Sequence, residues 1–338
     1  MLRTYYLDKL AASHRDAYYA VDGAVRSYRN ECMLYGLDED EAREVLAAYT
    51  YDNPDAWFCA LQFFEILIDQ RGVRVRLTYN ELDEGRFNEK LSSITSFIDS
   101  KVGPYTSEEE LAKLIYDYLC SNVEADTEAV NLASALDRRN EHLFGDFIRE
   151  HGASFCAYGA LVNGKAACMG IASAYKLLLD IYRIEAACVP GTYASYPHMI
   201  NVLEFNGVRT FVDVSRGLKV DSLPMVRYDY FCVNEERIRL YFAPNEDFEC
   251  VSDRMSYFAR NGIEFKDGAS LRRYLSSFSY SRIKGDLRFL YSSNVFDDDD
   301  LEKMIDDIVS PRCGTEYKIV GYIAENGVGN CKMNKLEE

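Results

Sequence analysis

Three residues of complementary chemistry follow one another within one stretch of the chain: Cys168, His198 and Asp213. A thiol, an imidazole and a carboxylate within hydrogen-bond reach make a nucleophile, a general base and an orienter for that base. Such a set attacks carbonyl groups, and the expected chemistry is acyl transfer through a thioester. Taken singly, each residue has a plainer reading. A cysteine is most often a small buried hydrophobe, a strand histidine a satisfied core group and an aspartate a turn residue. What points to chemistry is the element on which each one falls.

Those elements read from the periodicity of the apolar residues. After Cys168, the residues Ile171, Tyr175, Leu178, Leu179 and Tyr182 recur at helical spacing, which puts Cys168 in the first turn of a buried helix. The free amides and positive dipole end of such a turn favour a thiolate, and they point at an oxyanion formed by its attack. Gly170 is expected to leave the entrance uncrowded. Glu185 to Val189 reads as a short strand ending at Pro190-Gly191, followed by a polar loop from Thr192 to Pro197. Met199, Ile200, Val202, Leu203 and Phe205 then form a strand, Asn206-Gly207 turns it, and Thr210 to Val214 returns. A hairpin brings the far ends of its arms together, so His198 is expected beside Asp213. Cys168 reaches them if its helix start packs against the sheet edge. Asn163 is a candidate oxyanion donor, with a turn residue as the plainer alternative. Cys188 is a buried alternative thiol that lacks a helix dipole.

The rest of the chain reads as support. Residues 2 to about 50 are expected to be helical, with breaks at Tyr35-Gly36 and Asn53-Pro54. Gln70-Arg71-Gly72 sits between two strand-like runs, a hairpin signal. Its second arm alternates Val73, Val75, Leu77 and Tyr79 with Arg74, Arg76 and Thr78, as a half-buried strand near a sheet edge does. Residues 80 to 100 return to helix. Ser107 and Glu110 form a capping box ahead of Leu111, Leu114, Ile115, Tyr118 and Leu119. Residues 127 to 150 mix helix and loop. Tyr230 to Val233 reads as a strand, and a loop-rich passage containing Pro244 follows. From about 262 the order is helix (Ser270 to Phe278), strand (DLRFLYSS), helix (DDDDLEKMIDDIV) and strand (EYKIVGYIAE), a small α+β unit. The acidic run at 297 to 300 reads as a helix start, where the dipole favours it, ahead of a metal site. The expected division is 1–104 for the N-terminal helices and hairpin, 105–235 for the chemical core and 236–338 for the C-terminal unit.

Composition narrows the function. The 338 residues carry a net charge of −17, with 26 Tyr, 18 Phe and a single Trp, Trp57. That charge speaks against nucleic acid and anionic membrane surfaces as partners. No window approaches the ~18 uncharged apolar residues of a membrane span, and the N-terminus reads as an amphipathic helix and not a signal peptide, so a cytoplasmic location is expected. The 10 cysteines show no CxxC pair and no zinc-finger spacing to a histidine. Most are expected to be buried and reduced, with no metal. His14, His142 and His151 fall in polar contexts and are expected to be exposed.

The pieces GKAACMGIASAYKLLL, VPG, HMINVLEFNG and FVDVS resemble the transglutaminase-like superfamily, whose members carry Cys at a helix start, His on the next strand and Asp on the one after. LAKLIYDYLCSNV resembles the helix preceding the catalytic domain in bacterial members. The resemblance spans residues 107 to 214. It implies an α+β, papain-like core, a helix packed on an antiparallel sheet, in which Cys168, His198 and Asp213 are the triad. It also implies protease, amidase or cross-linking activity on a peptide or protein substrate, with no cofactor. Many relatives carry Trp two residues after the His and another shortly after the Asp, where this chain has Ile200 and Arg216. Water is the default acceptor, so hydrolysis is the expected outcome. The alternatives are a catalytically inactive binding or scaffold module, and acetyl transfer from a thioester donor by the same triad.

Overall fold

The computed structural model describes residues 2–136, 141–277, 286–291, 298–309, 311, 317–325 and 328–335. Phe278, the SS of DLRFLYSS, Asp297 and Cys313 fall outside these, as does the side chain of His142. The protein is mixed helix and sheet, of the α+β class.

The N-terminal part holds α1 (Tyr5–Lys9), α2 (Ala12–Arg26), β1 (Glu31–Tyr35), α3 (Glu39–Asp52), β2 (Glu65–Asp69), β3 (Gly72–Arg76) and α4 (Glu84–Asp99). β1 was expected to continue the helix before it. Instead Cys32 and Leu34 turn inward, and the strand pairs antiparallel with β3 from Glu31 opposite Arg76 to Tyr35 opposite Gly72. Pairing across some forty residues overrides the local pattern. β3 therefore lies in the middle of the sheet β1-β3-β2 and not at its edge. Its alternation is as expected, with Val73, Val75 and Leu77 buried and Arg74 exposed.

The middle part holds α5 (Glu108–Asn122), β4 (Glu124–Ala125), α6 (Thr127–Ala135), α7 (Glu141–His151), β5 (Lys165–Ala166), α8 (Cys168–Ile181), β6 (Glu185–Tyr193), β7 (Tyr196–Phe205), β8 (Val208–Val212), α9 (Val214–Gly217) and β9 (Phe231–Val233). The capping box at the start of α5 forms in both directions: Glu110 N–H donates to Ser107 Oγ at 3.2 Å and Ser107 N–H to Glu110 Oε2 at 2.9 Å. After α10 (Glu235–Ile238) comes β10 (Phe242–Pro244), which pairs with β6. The main sheet thus runs β10-β6-β7-β8-β9, antiparallel throughout. It takes its first edge strand from beyond residue 235, in the passage read as loop.

Helices cover both faces of this sheet. On one side α5 and α8 bury Tyr116, Tyr175 and Leu178 with Leu203, Phe205 and Val212. On the other, α1, α2 and α3 bury Val21, Val45 and Leu46 with Val189, Ile200, Val202 and Phe211. Each such side chain contributes about 1.5–3 kcal/mol when fully buried, so the sheet is clamped between two apolar layers. β6 and β7 run further than their residue types suggest. They are joined by the two-residue turn Ala194–Ser195, with φ of 47° and 70°, the twist that tight hairpins need. The expected polar loop from Thr192 to Pro197 is therefore mostly strand. Pro190 fits inside β6 because the pairing with β10 stops one residue short of it, at Gly191.

The chain ends with α11 (Tyr257–Asn261), β11 (Glu264–Phe265), α12 (Gly268–Ser277), β12 (Asp286–Tyr291), α13 (Asp298–Ile308), β13 (Tyr317–Glu325) and β14 (Val328–Lys335). Their sheet runs β11-β12-β14-β13 over a separate core that includes Leu271, Leu275, Phe289 and Ile305. Asp299 and Asp300 are exposed at the start of α13. Among the described residues no group of three metal-binding side chains comes together, and no helix is long and apolar enough to cross a membrane.

Candidate active site

Cys168 is the first residue of α8, with Ala167 as N-cap and no side chain capping the helix. Its start is fixed by what precedes it. β4 and β5 pair in parallel, Asp126 N–H donates to Ala166 O at 2.9 Å, and Ala167 N–H donates to Ser154 O at 2.8 Å. The buried Asp126 carboxylate gathers Ser154 Oγ, Ala129 N–H and Lys165 Nζ, all on segments around the cysteine. Gly170 does not face an entrance, as expected from sequence. It is buried, and a Cβ there would stand 2.5 Å from Ser154 O and 2.8 Å from Cys156 O. Its missing side chain lets the 154–156 backbone lie across the helix start.

His198 and Asp213 meet at the ends of the β7–β8 hairpin. Asn206 and Gly207 turn it with φ of 52° and 79°, and the register runs from Phe205 opposite Val208 to Asn201 opposite Val212. One step beyond β8, Asp213 receives His198 Nε2–H on Oδ2 at 2.8 Å. Its Oδ1 receives Ser215 Oγ–H at 2.7 Å and Arg216 N–H at 3.1 Å. Burial alone pushes the Asp213 carboxyl up, but the His198 charge and these hydrogen bonds outweigh it and hold the group below its usual value. For His198, burial pulls the imidazole down. The Asp213 carboxylate and a hydrogen bond to the Cys168 sulfur win, and push it up to about 10. Since Nε2 is held by Asp213, the nitrogen left for Cys168 is Nδ1.

Cys168 is partly exposed, whereas the other described cysteines are buried. Burial drives the Cys188 thiol up to about 12, which disfavours its thiolate. His14 and His151 are more covered than their sequence contexts suggest. His14 stands 3.4 Å from Glu41 and 3.7 Å from Glu44, and His151 packs on the Phe147 ring. Asn163 is exposed and lines a groove with Asn122, Lys165 and Lys219.

Sequence reasoning missed the aromatic wall. Phe242 on β10 packs edge-on to His198 at 5.7 Å, and Tyr193 lies 6.1 Å from the same ring. Gly191 admits Phe242, since a Cβ there would collide with its ring. Arg216 follows Asp213 by three residues. Its guanidinium sits 4.6 Å from the Tyr193 ring, 5.0 Å from Tyr230 and 5.1 Å from Tyr241. Three tyrosines thus surround one cation. Three widely spaced tyrosines in a chain with 26 of them give no local signal.

The pair has a pH signature. His198 is raised, so the stability it contributes is fully present below about pH 6.5 and is lost as pH climbs toward about 10. Asp213 is lowered, so its contribution is present above about pH 4 and lost below. The gap in urea midpoint between the parent and Asp213→Asn is therefore expected to be widest at about pH 4–6.5 and to shrink steadily toward pH 10. A gap that grows with rising pH would contradict the ion pair.

No family model matches this chain, and no curated protein matches it. Among solved structures the chain is similar to a TGase at 16% identity and a TM-score of 0.31, over 45% of this chain and 43% of that one. The match thus spans less than half of either chain.

Proposed function

We propose that this protein is a cysteine-dependent acyl-transfer enzyme with a papain-like, transglutaminase-like core, acting on peptide or side-chain amides. The observation that carries the reading is the 2.8 Å bond from His198 Nε2 to the buried Asp213, with Nδ1 left to the sulfur in the uncapped first turn of α8. A cation beside a thiol is the arrangement that favours a thiolate. In this reading the Cys168 thiolate adds to the amide carbon, and amides in the first turn of α8 receive the oxyanion. The His198 imidazolium gives its proton to the amine as the C–N bond breaks, which leaves a thioester. His198, now neutral, takes a proton from water as the water adds to the thioester. The carboxylic acid leaves, the thiolate returns, and the balance is amide plus water to acid plus amine. No metal or organic group is called on. Asp213 keeps the ring oriented and its charge balanced throughout.

The test is site-resolved labelling with iodoacetamide near neutral pH. Cys168 is expected to react at least about tenfold faster than an unactivated, exposed thiol, while the buried cysteines stay unlabelled. Equal labelling of Cys168 and a model thiol would sink the reading.

A further inference from the structure

The buried apolar run of the strand that carries His198 is interrupted by an asparagine. Asn201 is 0% exposed, between Ile200 at 1% and Val202 at 0%. Its Nδ2–H donates to Ala172 O in α8 at 3.0 Å and approaches Cys188 Sγ at 3.8 Å. Its Oδ1 is buried with no hydrogen-bond partner among the described residues. A buried polar atom left unsatisfied costs about 1–3 kcal/mol, a cost that leucine, with the same branching and the same number of side-chain heavy atoms, does not carry. Stability therefore does not account for an asparagine here.

The bond does have a geometric consequence. Ala172 lies one turn after Cys168 on the same face of α8, and Asn201 lies three residues after His198. The apolar contacts between the two elements, among Ala172, Met199 and Cys188, fix the spacing of helix and sheet. Such contacts are non-directional and do not by themselves specify the register of the helix against the strand. A directional hydrogen bond across the layer does specify it, and reaction rates are sensitive to small displacements of the reacting groups. We propose that Asn201 is a positioning residue, whose bond to Ala172 O sets the register of the Cys168 helix against the His198 strand. The inference rests on the reading of Cys168 as the nucleophile and goes beyond it, since Asn201 acts through the helix and not on the reacting groups.

The test compares full-length parent, Asn201→Leu and Asn201→Ala by iodoacetamide alkylation of Cys168 from pH 5 to 10, with urea unfolding alongside. In the parent, Cys168 is expected to alkylate at least about tenfold faster than a model thiol at pH 7. Asn201→Leu is expected to unfold at a urea midpoint near the parent's and to alkylate about 10–100-fold more slowly at pH 7. If the leucine variant does not fold, Asn201→Ala, which adds no atoms, gives the same reading. A folded variant with the parent's rate and profile overturns the proposal. So does failure of both variants to fold, which would make Asn201 a requirement of the core. If instead the parent's Cys168 is as slow as a model thiol, it is the nucleophile reading that falls.

Discussion

Cys168→Ala and His198→Ala are each expected to reduce amide turnover by about 10⁴-fold or more, and the double variant by no more than the worse single. The magnitude follows from the division of labour. Without the sulfur there is no thioester, and without the imidazole nothing protonates the leaving amine. Each loss removes the whole path, so the second loss has nothing left to remove. Asp213→Asn is expected to cost less, about 10²–10⁴-fold, and its cause is specific. Oδ2 accepts from His198 while Oδ1 accepts from Ser215 and Arg216 N–H. An amide has one oxygen. Turned toward His198, it sets its N–H₂ against the Arg216 N–H; turned the other way, it sets it against the imidazole. The measurement is kcat and KM on a cleavable peptide library, with KM expected to stay near the parent value. Comparable turnover in Cys168→Ala, or additive losses in the double variant, would refute a concerted triad.

The parts of the site that were legible in sequence are those governed by short-range rules. The first turn of α8 shows because Ile171, Tyr175 and Leu178 keep a helical period, and all three are buried. The pairing of His198 with Asp213 shows because Asn206-Gly207 fixes the register, after which the meeting of the two arms is a matter of counting. The parts that were not legible depend on distant segments. β1 is a strand because β3 lies beside it, and nothing within Glu31–Tyr35 overrules the helix before it. β10 is three residues with a proline, too short for any alternation, yet it sets Phe242 on the His198 ring. Arg216 gave the sharpest contrast. The residue itself is plain in the sequence, but that its guanidinium gathers Tyr193, Tyr230 and Tyr241 depends on three separate segments converging.

Gly170 is the residue whose expected and observed roles differ most, and it carries the second large prediction. In solvent-exposed helix, Gly→Ala stabilises by about 1 kcal/mol. Here that gain is opposed by contact with backbone, since the new Cβ would lie 2.5 Å from Ser154 O and 2.8 Å from Cys156 O. Neither carbonyl is free to retreat. Ser154 O accepts from Ala167 N–H at 2.8 Å, and Cys156 O accepts from Gly159 N–H at 3.2 Å. Overpacking against immobile atoms costs about 1–3 kcal/mol and at times more, so the clash outweighs the helix propensity. Gly170→Ala is expected to lower the urea midpoint. It is also expected to slow Cys168 alkylation, because relief comes only by lifting the first turn of α8, with Cys168 on it, off the 154–156 segment. Two signals moving together distinguish this from a simple loss of packing far from the site. A Gly170→Ala protein as stable as the parent, with Cys168 equally reactive, would mean that the backbone crossing does not set where the sulfur sits.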